Sequence, residues 1–222
     1  MIRFRAFGSV SLRGSSGEEI SGILAQPKRL ALLAYVAATP PGTFHRRDAL
    51  LGLFWPELDQ AHARGALRKA LYDLREALGE EVLVGRGEDE VGLNPDAFWC
   101  DVPAFEGALA AGNLAGALEL YRGDFLQGFF LSQAPEFERW ADSEREQLRR
   151  RAAEAAGDQA KSEQQAGNAH EAVHWARRAL ALSPADETAL RRLIGLLDRQ
   201  GDRAAAVREY EAFARRLAQE YE

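Results

Sequence analysis

Gly167-Asn168 with Ala172, Ala176 and Ala179 recurs 34 residues later as Gly201-Asp202 with Ala206, Tyr210 and Phe213. A repeat of this length is one supersecondary unit that cannot bury its apolar face alone, so neighbouring units must stack. Its small side chains allow two antiparallel helices to approach closely. Gly112-Asn113, Ala117 and Tyr121 echo the same turn and second helix at a different spacing, giving two repeats and one divergent half. Beyond Asn94-Pro95 strand signals vanish and Ala, Leu, Glu and Arg dominate in helical periods, which places a boundary at about residue 96.

The period and the small-residue pattern are those of a tetratricopeptide repeat. The chain before residue 96 reads differently. Ile2, Phe4, Ala6, Phe7, Val10 and Leu12 form short apolar stretches broken by Gly8, Gly14 and Gly17, as short strands joined by turns do. Pro27 opens a helix with Leu30, Leu33, Ala34 and Ala37 on one stripe, ending before Pro40-Pro41-Gly42. A second helix is predicted from about Arg46 to Phe54, stopped by Pro56. A third follows Asp59 as N-cap and keeps Ala63, Leu67, Leu71, Leu74 and Leu78 inward until Gly79. Val82-Leu83-Val84 and Val91-Gly92-Leu93 then flank a polar loop suited to a hairpin.

Strands, three helices and a hairpin in that order describe a winged helix, in which the third helix enters the DNA major groove and the hairpin lies along the backbone. The expected fold is therefore mainly α with a small β component. A winged helix-turn-helix is expected over residues 1–96, and a tetratricopeptide-like helical domain over residues 97–222.

A net charge of −6 argues at first against a nucleic-acid partner, because phosphate binding is driven by Lys and Arg. The distribution reverses that. Residues 26–75 hold eight basic and four acidic residues, whereas residues 98–222 hold 16 basic and 21 acidic ones. The two halves are thus expected to meet different partners. The single Cys100 excludes an intramolecular disulfide framework and a Cys-rich zinc site, and no apolar run reaches spanning length. A soluble, cytoplasmic protein without a membrane partner is expected.

Arg47-Asp48-Ala49-Leu50 through Trp55-Pro56 is similar to an Arg-Asp-x-Leu-x-x-x-x-Trp-Pro segment, and Ala63-Arg64 through Leu74-Arg75 to an Ala-Arg-x-x-Leu-x-x-x-Leu-x-x-Leu-Arg helix. Asp101-Val102-x-x-Phe105, Tyr121-x-Gly123-x-Phe125-Leu126 and Glu136-Phe137-x-x-Trp140 follow in order. Together these resemble activators of the Streptomyces antibiotic regulatory protein type. Such activators join an OmpR-like winged helix to a bacterial transcriptional activator domain of tetratricopeptide-like helices. The resemblance implies a sequence-specific DNA-binding regulator of transcription that helps recruit RNA polymerase, with the last motifs in the helical core of the second domain, and it implies that this domain is cut short at its C-terminal end.

Stepping 100° per residue from Leu67 puts His62, Gly65, Lys69 and Tyr72 opposite the buried face, with Arg64 and Arg68 on a flank. Arg can read guanine edges, and Lys and Tyr can bind phosphates. A plain solvated face is the alternative. Arg46 and Arg47 stand where a helix start can hold a phosphate, or serve solubility. Arg86 near the hairpin tip suits a minor groove, whereas Glu88-Asp89-Glu90 would repel phosphates and is expected to point away. The resemblance makes the loop carrying Trp55, Glu57 and Asp59 a polymerase-contact loop, although Phe54 and Trp55 also suit the core.

His170 and His174 share a metal-holding spacing without a third ligand nearby, and a solvated face fits them better. No catalytic constellation or cofactor motif is present, so no enzyme, metal or cofactor is expected. The helical half is expected to mediate a homodimer or contacts with other proteins. A protein-interaction scaffold whose winged helix has lost DNA is the rival reading.

Overall fold

The computed structural model describes residues 1–220, and the chain divides into two compact units. The first comprises residues 1–107 and 120–145, the second residues 108–119 and 146 onward.

In the first unit β1 (Ile2–Arg5) is the centre of a three-stranded sheet. It runs antiparallel to β2 (Ser11–Arg13), with Phe4 opposite Leu12, and parallel to β6 (Phe98–Cys100), with Phe4 opposite Cys100. A short α1 (Ser21–Leu24) precedes α2 (Pro27–Ala37). Then come β3 (Phe44–Arg46), α3 (Arg47–Phe54), α4 (Gln60–Leu78) and the hairpin of β4 (Leu83–Arg86) and β5 (Glu90–Leu93). β3 adds antiparallel to β5, so the hairpin belongs to a second sheet in the order β3-β5-β4. Three helices and a wing sheet in this arrangement form a winged helix.

Two strands depart from expectation. Arg46 ends β3 instead of opening a helix, and β6 lies in a segment where strand signals had vanished. Both are three residues long and are made by pairing with a distant strand, which leaves no local period to read. The packing also does not follow a single cut at residue 96. Asp101, buried to 2 % exposure at the start of α5 (Asp101–Ala110), accepts bonds from the backbone N–H groups of Ala6 (2.8 Å) and Phe7 (3.2 Å). Burial pushes this carboxyl above its usual range, against the pull of those two donors.

The motif aromatics expected in the second domain's core pack among N-terminal residues instead. Phe7 meets Phe105 and Tyr121 at 5.4 and 4.8 Å between ring centroids. Phe54 meets Phe137 at 5.3 Å, and Tyr35 meets Trp140 at 4.7 Å. Between them the irregular segment 121–134 is held by Arg145, whose guanidinium donates to the carbonyls of Phe125 (2.9 Å) and Phe129 (3.0 Å).

The second unit contains α6 (Leu114–Leu120) up to Glu119, the later part of α7 (Pro135–Gln165), α8 (Ala169–Leu182), α9 (Glu187–Arg199) and α10 (Arg203–Glu220). Its core joins Ala172, Val173, Ala176 and Leu180 of α8 to Leu190, Leu193 and Leu197 of α9 and to Phe213 of α10. The three turns singled out in the sequence share one geometry. Gly112, Gly167 and Gly201 have φ of 74°, 82° and 78°. The residue after each returns its N–H to the carbonyl five positions back: Asn113 to Ala108 (2.9 Å), Asn168 to Glu163 (2.9 Å) and Asp202 to Leu197 (3.0 Å). These are Schellman caps, in which glycine enters the left-handed region without a Cβ penalty. The divergent half-repeat at Gly112 thus keeps the turn of the other two.

Candidate nucleic-acid interface

Helix α4 is cut to length by its ends. The Asp59 carboxylate caps it by accepting from the N–H groups of Ala61 (3.0 Å) and His62 (3.1 Å), and Gly79 leaves the helix at φ 104°. Ala63, Leu67, Ala70, Leu71, Leu74 and Leu78 are buried, so Arg64, Gly65, Arg68, Lys69 and Tyr72 are left exposed, Tyr72 by 61 %. A Cβ added at Gly65 would meet nothing within 4 Å, so the helix surface there is open to close approach.

These side chains are not equally free. His62 turns back to the cap, its ring Nδ1 lying 2.5 Å from the Asp59 carboxylate, and its backbone N–H leads the contacts that hold that carboxyl below its usual range. Arg64 reaches Asp48 of α3 at 3.4 Å. Lys69 lies 3.5 Å from Asp73, which also pairs with Arg29 of α2. Arg68 makes no ion pair or hydrogen bond among the described residues. Arg75, at the edge of this face, donates to the Leu83 carbonyl at 3.3 Å and so ties α4 to the wing.

Arg46 is exposed at the end of β3. Arg47 is half-buried; its N–H donates to the Asp89 carbonyl at 2.8 Å, while its Nε is buried with no hydrogen-bond partner. Arg86 lies opposite Glu90 in the β4–β5 ladder, bonds its carboxylate, and stacks its guanidinium 4.7 Å from the Phe44 ring centre. That bond is the leading cause of the lowered Glu90 pKa. Arg86 is therefore folded onto the wing sheet and does not stand free at its tip.

One arrangement was not legible in the sequence. Arg47, Arg64 and Arg68 line a cavity of about 530 Å³ together with Asp48, Glu88 and Asp89. Expected to point away from the basic helices, Glu88 and Asp89 instead sit beside them, because the Arg47–Asp89 backbone bond draws the turn onto α3.

The loop between α3 and α4 is pinned to α2. Lys28 bonds Glu57 at 2.6 Å and lies 5.7 Å from the centre of the Trp55 ring. The Lys28 bond is the main cause that holds the Glu57 carboxyl below its usual range. Trp55 is buried at 6 % exposure, so the loop presents Glu57, Leu58 and Asp59 to the outside and not that ring. Burial of Phe54 and Trp55 follows from their aromatic area.

Elsewhere, His170 and His174 are exposed on α8, and no group of three potential metal ligands occurs among the described residues. No helix among them is long and apolar enough to cross a membrane. Cys100 is buried, and burial raises its thiol well above the ordinary value.

Residues 104–222 match the family described as bacterial transcriptional activator domain. Among solved structures the chain is similar to Mycobacterium tuberculosis EmbR in complex with a low-affinity phosphopeptide, at 21 % identity and a TM-score of 0.67. The likeness covers 98 % of this chain and 60 % of that one, so the chain spans under two thirds of the length of the structure it matches. Comparison with curated proteins gives no match. With more than half of its length matched to one family model, the chain belongs to the bacterial transcriptional activator domain family.

Proposed function

We propose that this transcriptional activator binds double-stranded promoter DNA in a sequence-specific way through the outer face of α4, as third helix of its winged helix. The observation that carries the reading is the solvent-facing set Arg64, Arg68, Lys69 and Tyr72, of which Arg68 lacks any partner among the described residues. Arg68 is placed to read base edges, and Arg64, Lys69 and Tyr72 to hold phosphates. Arg46 and Arg47 lie at the start of α3, where the backbone phosphates of the same groove would pass. His62 and Arg86 serve chiefly to shape the α4 cap and the wing, given their bonds to Asp59 and Glu90.

The exposed Glu57 and Asp59 of the α3–α4 loop are the proposed RNA polymerase contact, supported by the salt bridge that fixes the loop to α2. The helical repeats then mediate contact with a second copy or another protein. Selection from random duplexes at low salt tests the DNA reading: enrichment of one sequence, bound with a steep salt dependence, is the expected outcome. Recovery of no sequence would sink it.

A scaffold that has lost DNA is favoured by one observation, that Arg64 and Lys69 are both paired with carboxylates of their own chain. It predicts stable protein capture with no salt-sensitive nucleic-acid binding.

A further inference from the structure

We propose that the cavity between α3, α4 and the wing turn is a seat for one DNA backbone phosphate, whose entry the carboxylates of Glu88 and Asp89 oppose. The proposal rests on the DNA reading above and adds an internal competitor to it. Three arginines and three carboxylates line the cavity, so its formal charge is balanced without any ligand. The balance is uneven in its bonding. Asp48 engages Arg64 at 3.4 Å, whereas the side chains of Glu88 and Asp89 make no hydrogen bond or ion pair among the described residues. In the same cavity, the buried Arg47 Nε has no hydrogen-bond partner among the described residues. Donors and carboxylates that share a cavity without bonding each other leave the donors available to a stronger anion.

A phosphodiester group offers the cavity two charged oxygens to replace the carboxylate field. Glu88 and Asp89 oppose its entry by like-charge repulsion at short range, where screening by salt is least effective. The turn has room beside it: Gly87 at its tip has φ 63°, and a Cβ there would meet nothing within 4 Å. Its anchor is the Asp89 carbonyl, which accepts from the Arg47 N–H at 2.8 Å and is unaffected by a change of side chain.

The test uses the full chain and fluorescence anisotropy on a selected duplex and a scrambled one. Glu88→Gln/Asp89→Asn is expected to tighten binding to both duplexes about five-fold or more at low salt and to steepen the salt slope by about 0.9, as one more neutralised phosphate requires. Glu19→Gln/Asp96→Asn, which removes the same charge at exposed positions outside the cavity, is expected to change binding less than two-fold. The gain should vanish in an Arg47→Gln background and, as a second check, in Arg64→Gln, with unchanged circular dichroism. Equal gains from both charge-matched pairs, or a gain that survives both arginine changes, would overturn the seat. A wild-type chain that binds no duplex overturns the DNA reading, and the seat with it. Duplex binding by wild type with no gain from Glu88→Gln/Asp89→Asn overturns the seat alone.

Discussion

The Asp101 carboxylate accepts the backbone N–H of Ala6 at 2.8 Å across 95 residues of sequence, and its other oxygen accepts Phe7. Asp101→Ala strands both donors in a buried place and is expected to cost about 3 kcal/mol, measured by urea denaturation. The folded carboxyl titrates above its ordinary value because burial disfavours its charge. Its contribution is therefore complete below the usual carboxylate range and diminishes as pH rises through the raised value. The stability advantage of wild type over Asp101→Asn should narrow over that rise. An advantage that widens would show the two backbone donors to outweigh burial.

Arg68→Ala is expected to weaken binding to the selected duplex at least ten-fold while leaving the helical circular dichroism unchanged, because the side chain bonds nothing among the described residues. Lys69→Ala should cost less, since Lys69 is shared with Asp73 at 3.5 Å. A larger effect at Lys69 than at Arg68 would reassign the reading side of α4. Anisotropy titrations at two salt concentrations separate the two.

Glu57→Ala is expected to lower transcript yield in a reconstituted system several-fold with promoter affinity unchanged, if the loop meets polymerase. Lys28→Ala, which frees the same loop by removing its 2.6 Å bond, should give a milder version of the defect. Loss of promoter affinity in step with transcript yield would assign the loop to DNA.

Gly112→Ala, Gly167→Ala and Gly201→Ala should each destabilise by about 1 kcal/mol, since all three hold positive φ and an added methyl meets nothing nearby. Thermal denaturation checks this. A neutral Gly112 variant would mean that the half-repeat's turn can relax where the others cannot.

Helix α4 was legible because cap, apolar stripe and terminating glycine all lie within it: Asp59, Leu67 to Leu78, and Gly79. The repeat turns were legible for the same reason. β6 was not, because Phe98-Trp99-Cys100 carries no alternation of its own and becomes a strand through β1. The partners of the basic face were equally hidden. Arg29 finds Asp73 from a different helix, and the wing acids approach α3 through a backbone bond at Asp89, which no side-chain pattern records. Sequence located the face, while the charges that modulate it come from packing.

The parallel pairing of β1 with β6 also orders events in time. During synthesis β1 at first has only β2 beside it, and its other edge waits for Phe98–Cys100 to emerge. Asp101 follows directly and supplies the acceptors that Ala6 and Phe7 lack until then. β1 is thus among the last parts of the winged helix to be locked. A polypeptide released at residue 96 would keep an open strand edge, the kind of surface by which nascent chains stick to one another.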